Sequence, residues 1–124
     1  MKFKLALLTM TLLALAGTVS AHHGSAAYEM DKSVTIKGTV TDFQFVNPHV
    51  LIFVDVKDDA GKVTNWAGEL TSPNRLTRLG WTKSTLKVGE EITMTGAPSK
   101  SGAPRMWANK LSNASGPLKT AGVD

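Results

Sequence analysis

The stretch VTIKGTVTDFQF, residues 34–45, decides the fold because its hydrophobic period of two shifts by one residue partway along. Apolar residues alternate with Thr and Lys up to Val40, and the next apolar residues are Phe43 and Phe45. A one-residue shift inside a strand predicts a β-bulge or a sharp bend, and Gly38 permits strong coiling of the chain. The stretch therefore predicts a long first strand that bends.

Four further strands and one short helix are predicted after the first strand. The turn KDDAGK, residues 57–62, predicts a hairpin. Ser72 followed by Pro73 is typical of a helix start, Gly80 of a helix end, and Leu76 and Leu79 are expected to share one face. The predicted strands are residues 50–56, 63–70, a segment around Ile92 and Met94, and residues 105–111.

This order of elements predicts an all-β protein with one short helix, folded as a five-stranded OB-like Greek-key barrel. A small β-sandwich is the alternative, and the single helix between strands three and four favours the barrel. The predicted organisation is a signal peptide at residues 1–21, an N-terminal extended segment at 22–33, an OB-like β-barrel domain at 34–112 and a flexible tail at 113–124.

The first residues have the pattern of a secretory signal peptide. Lys2 and Lys4 precede an apolar run, residues 5–16, that is shorter than the roughly 20 residues of a membrane span. Small residues end the leader at residues 19–21 and predict cleavage after Ala21. We expect a periplasmic or secreted protein with no membrane span after processing, the alternative being an uncleaved N-terminal anchor.

Composition excludes several functional classes. Removal of 21 residues from 124 leaves 103, with 12 basic and 10 acidic side chains because Lys2 and Lys4 leave with the leader. This net charge of +2, without a concentrated basic patch, predicts no nucleic-acid partner. The absence of cysteine excludes a thiol nucleophile and a cysteine-ligated metal, so any metal ligands are nitrogen, oxygen or methionine sulfur.

Three long segments carry a resemblance to a known family. They are the leader ending in AHH, the run YEMDKSVTIKGTVTDFQFVNPHVLIFVDVKDDAGKVTNWAGEL at residues 28–70, and SPNRLTRLGWTKSTLKVGEEITMTG at residues 72–96. Together, in this order, they resemble a family of small exported bacterial proteins known only as a domain of unknown function, the 6152 type. The resemblance implies export and a compact barrel-like domain, and it supplies no catalytic residues.

Three histidines, His22, His23 and His49, are the candidate metal ligands. If cleavage makes His22 the first residue, its amine and its imidazole form a chelate, because a metal readily displaces the proton of an α-amino group of pKa about 7.7–8.0. One further imidazole completes a T-shaped set of three nitrogens, which copper(II) favours. His49 is the expected third nitrogen and His23 the alternative. Cleavage one residue earlier leaves Ala21 first and His23 third, which is also a copper(II) chelate.

The loop residue His49 is predicted to lie beside a carboxylate. If the hairpin pairs residues whose numbers add up to about 119, Glu69 lies opposite Val50 and next to His49. A carboxylate in this position orients an imidazole or binds the metal directly. Asn47 and Pro48 precede His49 and are expected to fix the loop, so Asn47 joins Glu69 as a supporting residue.

The distance between the two proposed histidine ligands sets a geometric condition. The first strand spans roughly 40 Å if straight, at about 3.3 Å per residue. His22 therefore reaches His49 only if residues 22–33 fold back along the barrel.

The same histidines also have simpler interpretations. His22 and His23 could be a solvated chain start, and His49 a structural histidine that hydrogen-bonds a carbonyl group or Glu69. The sequence predicts a binding domain for copper or another divalent metal, not an enzyme. A metal-free interaction module that binds a peptide, glycan or small molecule is the alternative class, and a copper-dependent oxidase is the third.

Overall fold

The computed structural model describes residues 24–121, which form six β-strands, one α-helix and one 3-10 helix. In chain order the elements are the 3-10 helix Gly24–Ala27, β1 Val34–Gln44, β2 Leu51–Lys57, β3 Val63–Glu69, α1 Pro73–Arg78, β4 Glu91–Pro98, β5 Arg105–Asn113 and β6 Gly116–Leu118.

Five strands close into the predicted OB-like barrel. Their order is β3-β2-β1-β4-β5, with antiparallel neighbours, and a parallel pairing between β3 and β5 closes the ring. The helix α1 connects β3 to β4, as the order of elements predicts. The fold prediction is therefore confirmed.

The bend in β1 lies where the hydrophobic phase shifts. The register between β1 and β2 shifts between Val40 and Asp42, which is the predicted bulge. Before the bulge Val40 faces the core, and after it Phe43 packs against the same core. Gly38 is needed for close packing of the strands, since a Cβ there would lie 2.4 Å from the carbonyl oxygen of Asp55.

The β2–β3 hairpin has a register one residue away from the predicted one. Glu69 pairs with Leu51, where the sequence predicted Val50. The reason is a three-residue loop, residues 59–61, in which Gly61 has a φ of +85°. The side chain of Asp58 caps this loop by accepting from the backbone N–H of Lys62 at 2.8 Å.

Helix α1 begins as predicted, with Ser72 as N-cap, and its side chain accepts from the backbone N–H of Arg75 at 3.4 Å. Leu76 is fully buried, whereas Leu79 is 36% exposed. Leu79 caps the C-terminus and lies beyond the helix. The barrel core contains the side chains of Val40, Val50, Ile52, Val54, Leu70, Leu76, Ile92, Met94 and Met106.

Part of the segment predicted as a flexible tail, residues 113–124, forms a short strand. Residues Gly116–Leu118 form β6 on β5, because Gly116, with a φ of +110°, lets the chain turn back. Leu118 then packs against the core, and the carbonyl of Lys119 accepts from Trp81 Nε1 at 2.7 Å.

The segment before β1 also differs from the prediction of an extended chain. Gly24–Ala27 is a 3-10 helix, and Tyr28 forms a β-bridge with Ser99. Burial of the Tyr28 side chain, 3% exposed, holds this segment on the barrel. The signal peptide, His22 and His23 lie outside the described residues.

Candidate metal centre

His49 lies in the loop between β1 and β2, immediately before a firmly anchored residue. Val50 is fully buried, its N–H donates to the carbonyl of Thr71 at 3.1 Å, and its carbonyl accepts from Leu70 N–H at 2.9 Å. Side chains alternate between the two sides of an extended chain. His49 therefore lies on the outside of the barrel, where its side chain is 26% exposed.

Glu69, at the end of β3, lies beside His49. Its Oε1 is 2.7 Å from His49 Nδ1. An ionised carboxylate only accepts hydrogen bonds, so this contact assigns the ring proton to Nδ1 and leaves Nε2 as the nitrogen with a lone pair. Within residues 24–121, no side-chain or backbone group hydrogen-bonds His49 Nε2.

The second oxygen of Glu69 is also occupied. Tyr28 OH donates to Oε2 at 2.5 Å, so the carboxylate accepts from two different segments of the chain. With a side-chain exposure of 16%, Glu69 is largely shielded from solvent. Both oxygens are committed to these two partners, which is the arrangement of a group that orients an imidazole.

Burial and this carboxylate shape the acid–base behaviour of Tyr28. Desolvation, followed by the hydrogen bond and the negative charge of Glu69, raises the pKa of Tyr28 from 10.0 to about 12, although the nearby Arg105 guanidinium opposes the change. The phenol therefore remains a proton donor throughout the neutral range.

Trp107 forms the wall against which both partners of Glu69 pack. The parallel β3–β5 pairing places Trp107 opposite Glu69. The indole contacts the His49 ring edge-on, with centroids 5.3 Å apart, and the Tyr28 ring at 6.1 Å.

Gly24 brings the N-terminal segment into direct contact with this cluster. A Cβ at Gly24 would lie 2.5 Å from His49 Cε1, 2.6 Å from Trp107 Cζ3 and 2.9 Å from His49 Nδ1. Only a residue without a side chain allows the backbone to approach these two rings so closely. The chain thus folds back to His49, which satisfies the geometric condition derived from the sequence.

The other residues singled out from the sequence have different positions. Asn47 is exposed, follows Val46 in the loop and forms a cis peptide bond with Pro48. Its side chain makes no hydrogen bond within the described residues. Met94 and Met106 are fully buried in the core.

Within residues 24–121, no group of three or more His, Asp or Glu side chains is arranged to hold a metal ion. His49 and Glu69 are the only predicted site residues that this part of the chain brings together. In the same residues, no helix is long and apolar enough to cross a membrane.

Sequence reasoning missed three members of the cluster: Gly24, Tyr28 and Trp107. The OB topology itself contains the signal for Trp107, because closure of the barrel between β3 and β5 brings the end of β3 beside the start of β5. Tyr28 is the only tyrosine of the chain, yet nothing in its local sequence indicates a contact 41 residues away.

Comparison with known proteins gives a family and a fold. Residues 9–107 match the family described as "Family of unknown function (DUF6152)". No protein of curated function matches the chain. Among solved structures, the mitochondrial single-stranded DNA binding protein Rim1 from S. cerevisiae aligns with a TM-score of 0.51 and 9% identity, over 73% of this chain and 96% of that one.

The N-terminal domain of PriB from Thermoanaerobacter tencongensis also aligns with a TM-score of 0.51, at 19% identity, over 68% of this chain and 97% of that one. At these identities the two similarities establish the fold alone.

Proposed function

We propose that this chain, which belongs to the DUF6152 family of unknown function, is an exported domain that binds a divalent metal. Copper(II) is the preferred ion. The support for this proposal comes from the residues of the chain itself. The proposed ligands are His49 and the processed N-terminus at His22, with His23 as the alternative. Glu69 orients His49, and no catalytic step is assigned.

The contact between Gly24 and the ring of His49 is the observation that carries this proposal. Two residues span at most about 7 Å of chain, so His22, two residues before Gly24, is within reach of a metal bound to His49. A solvated start without function would not require a glycine whose backbone touches an imidazole.

The state of His49 supports the same interpretation. Metal-binding histidines commonly donate their other ring N–H to a carboxylate, which fixes the tautomer and makes the ligating nitrogen more basic. His49 Nδ1 has this carboxylate partner in Glu69, and Nε2 has no partner within residues 24–121.

The third element of the proposal is the amine that leader cleavage creates. The amine and the ring of a first histidine supply two nitrogens, and His49 Nε2 supplies a third. Three nitrogens near one plane favour copper(II), which also heads the divalent affinity series. The precursor lacks this amine, so export would also activate the site.

The test is a copper(II) titration of protein exported with its own leader, after intact mass has established that it begins at His22. Loss of a group that only orients a ligand costs about 10- to 100-fold in affinity, so we expect loss of a ligand, in His22→Ala or His49→Ala, to exceed about 100-fold. Gly24→Ala should also weaken binding, because its methyl group collides with His49 and Trp107.

His23→Ala separates the two ligand sets, because it leaves His22 and His49 intact and removes the alternative ligand. Electron paramagnetic resonance of the bound copper(II) would report the number of nitrogen ligands. Unchanged affinity in both His22→Ala and His49→Ala would overturn the proposal, whereas loss of binding in His49→Ala and His23→Ala, but not in His22→Ala, would select the alternative ligand. A metal-free interaction module would then become the leading function.

A further inference from the structure

One carboxylate connects the two parts of the chain that carry the proposed ligands. Glu69 Oε1 contacts His49 in the β1–β2 loop, and Oε2 accepts from Tyr28 on the N-terminal segment, four residues after Gly24.

We propose that Tyr28 is a positioning residue of the metal site, which acts through Glu69 to couple the docked N-terminal segment to the orientation of His49. This inference rests on the proposed metal-binding function. Tyr28 does not contact the metal. Its hydroxyl fixes the Glu69 carboxylate, which in turn orients the His49 imidazole. The N-terminal segment to which Tyr28 belongs also carries the proposed terminal chelate.

The backbone around Tyr28 is fixed firmly enough to serve this role. Tyr28 N–H donates to the carbonyl of Ser25 at 3.1 Å, Glu29 N–H to that of Pro98 at 2.9 Å, and Lys100 N–H to that of Ala27 at 3.0 Å. These bonds tie the segment to the loop between β4 and β5. The Tyr28 ring packs on Trp107, and its hydroxyl donates to Glu69.

The consequence for binding is preorganisation. With Tyr28 in place, the segment and the His49 ring are already ordered before a metal arrives, and binding then costs less conformational entropy. Without the hydroxyl, Glu69 loses one of its two donors and can rotate away from His49. The tautomer of His49 and the position of the chain start would then be fixed less firmly.

The experiment compares Tyr28→Phe with the parent protein, both beginning at His22, in copper(II) titrations. Phenylalanine keeps the ring against Trp107 and removes only the hydroxyl. We expect about 10- to 100-fold weaker copper binding, with an altered electron paramagnetic resonance spectrum. In protein that carries three extra residues before His22, so that neither His22 is first nor any histidine third, the terminal chelate is removed and the same substitution should have little effect.

Trp81→Phe is the matched control, because it also deletes one part-buried hydrogen bond, from Nε1 to the carbonyl of Lys119. Its copper affinity should equal that of the parent. Glu69→Gln and the double variant with Tyr28→Phe give a second test, of coupling between the two residues. If Tyr28 acts through Glu69, the double variant should bind copper no more weakly than Glu69→Gln alone.

Each outcome has a defined meaning. If the parent protein binds no copper, the proposed function itself is wrong. If the parent protein and Tyr28→Phe bind copper equally tightly, only the proposed role of Tyr28 is wrong. An equal loss in the extended and the correctly processed protein also contradicts the inference, because Tyr28 would then support only the fold. Additive losses in the double variant would contradict coupling through Glu69.

Discussion

At the scale of single residues, the candidate site depends on a short chain of hydrogen bonds from Tyr28 through Glu69 to His49. The positions of two of these residues, Glu69 and His49, are explained by their neighbours in sequence. Leu70 and Val50 are buried, so Glu69 and His49 lie on the outer side of the barrel, where they meet. The same alternation of inward and outward side chains that builds the core thus also positions the site.

The ionisation of Tyr28 gives a prediction at this scale. Its pKa is raised from 10.0 to about 12, so the folded protein keeps the phenolic proton after the unfolded chain has lost it. The resulting stabilisation is fully present below pH 10 and disappears as the pH rises from 10 to about 12. Absorbance of tyrosinate near 295 nm checks this directly, because Tyr28 is the only tyrosine.

The expected midpoint of that titration lies close to 12 in folded protein, and in denaturant it returns to about 10. Tyr28→Phe supplies the baseline and should abolish the absorbance change. A midpoint near 10 in folded protein would mean that the phenol is neither buried nor bonded to Glu69.

At the scale of elements, β6 makes a prediction about the C-terminal segment. Deletion of residues 116–124 removes β6, the contact of Leu118 with the core and the acceptor of Trp81 Nε1. The lost hydrogen bonds and apolar burial should lower the free energy of unfolding by about 2–4 kcal/mol. Thermal or urea unfolding measures this change.

The control for this deletion removes residues 122–124 alone, which keeps β6 and Lys119. Its stability should match that of the full-length chain. A tail that contributes nothing, as the sequence suggested, would instead give the same unfolding curve for both deletions.

The secondary-structure elements also show which features could be predicted from the sequence. The bulge in β1 was predictable because Phe43 and Phe45 are out of phase with Val40, and the contact of His49 with Glu69 followed from the hairpin even with the register off by one. In contrast, β6 reads GPL, three residues without a period. Its formation depends on the packing of Leu118 against the core, a non-local contact that no local sequence pattern indicates.

The site was only partly predictable for the same reason. Tyr28 reaches Glu69 because the N-terminal segment crosses the seam between β3 and β5, which local spacing does not reveal. Gly24 is explained only by the two rings against it.

At the scale of the whole molecule, the barrel is a scaffold whose ligand site lies outside its closed core. The inward residues fill the interior, and the seam between β3 and β5 carries Glu69 and Trp107 on its outer side. The N-terminal segment covers this seam and adds Tyr28 to it. A barrel shared with nucleic-acid-binding proteins therefore presents a quite different chemical surface here.

This difference predicts that the protein does not bind single-stranded DNA, although Rim1, which has a similar fold, is a single-stranded DNA binding protein. OB-folds usually use the face of strands 2 and 3 for such ligands. On that face Asn65 Nδ2 donates to Asp55 Oδ1 at 2.9 Å and to Thr41 Oγ1 at 3.1 Å, so its polar groups are already paired. Asp55 also adds negative charge where a phosphate chain would lie.

Fluorescence anisotropy of a labelled oligothymidine at about 50 mM salt, the condition that most favours phosphate contacts, provides the measurement. We expect no binding tighter than about 100 µM, the weak end of ordinary non-specific affinity. A single-stranded DNA binding protein serves as the positive control in the same buffer. Micromolar binding that weakens steeply with added salt would contradict the prediction, and Asp55→Lys should strengthen binding if charge on this face is what prevents it.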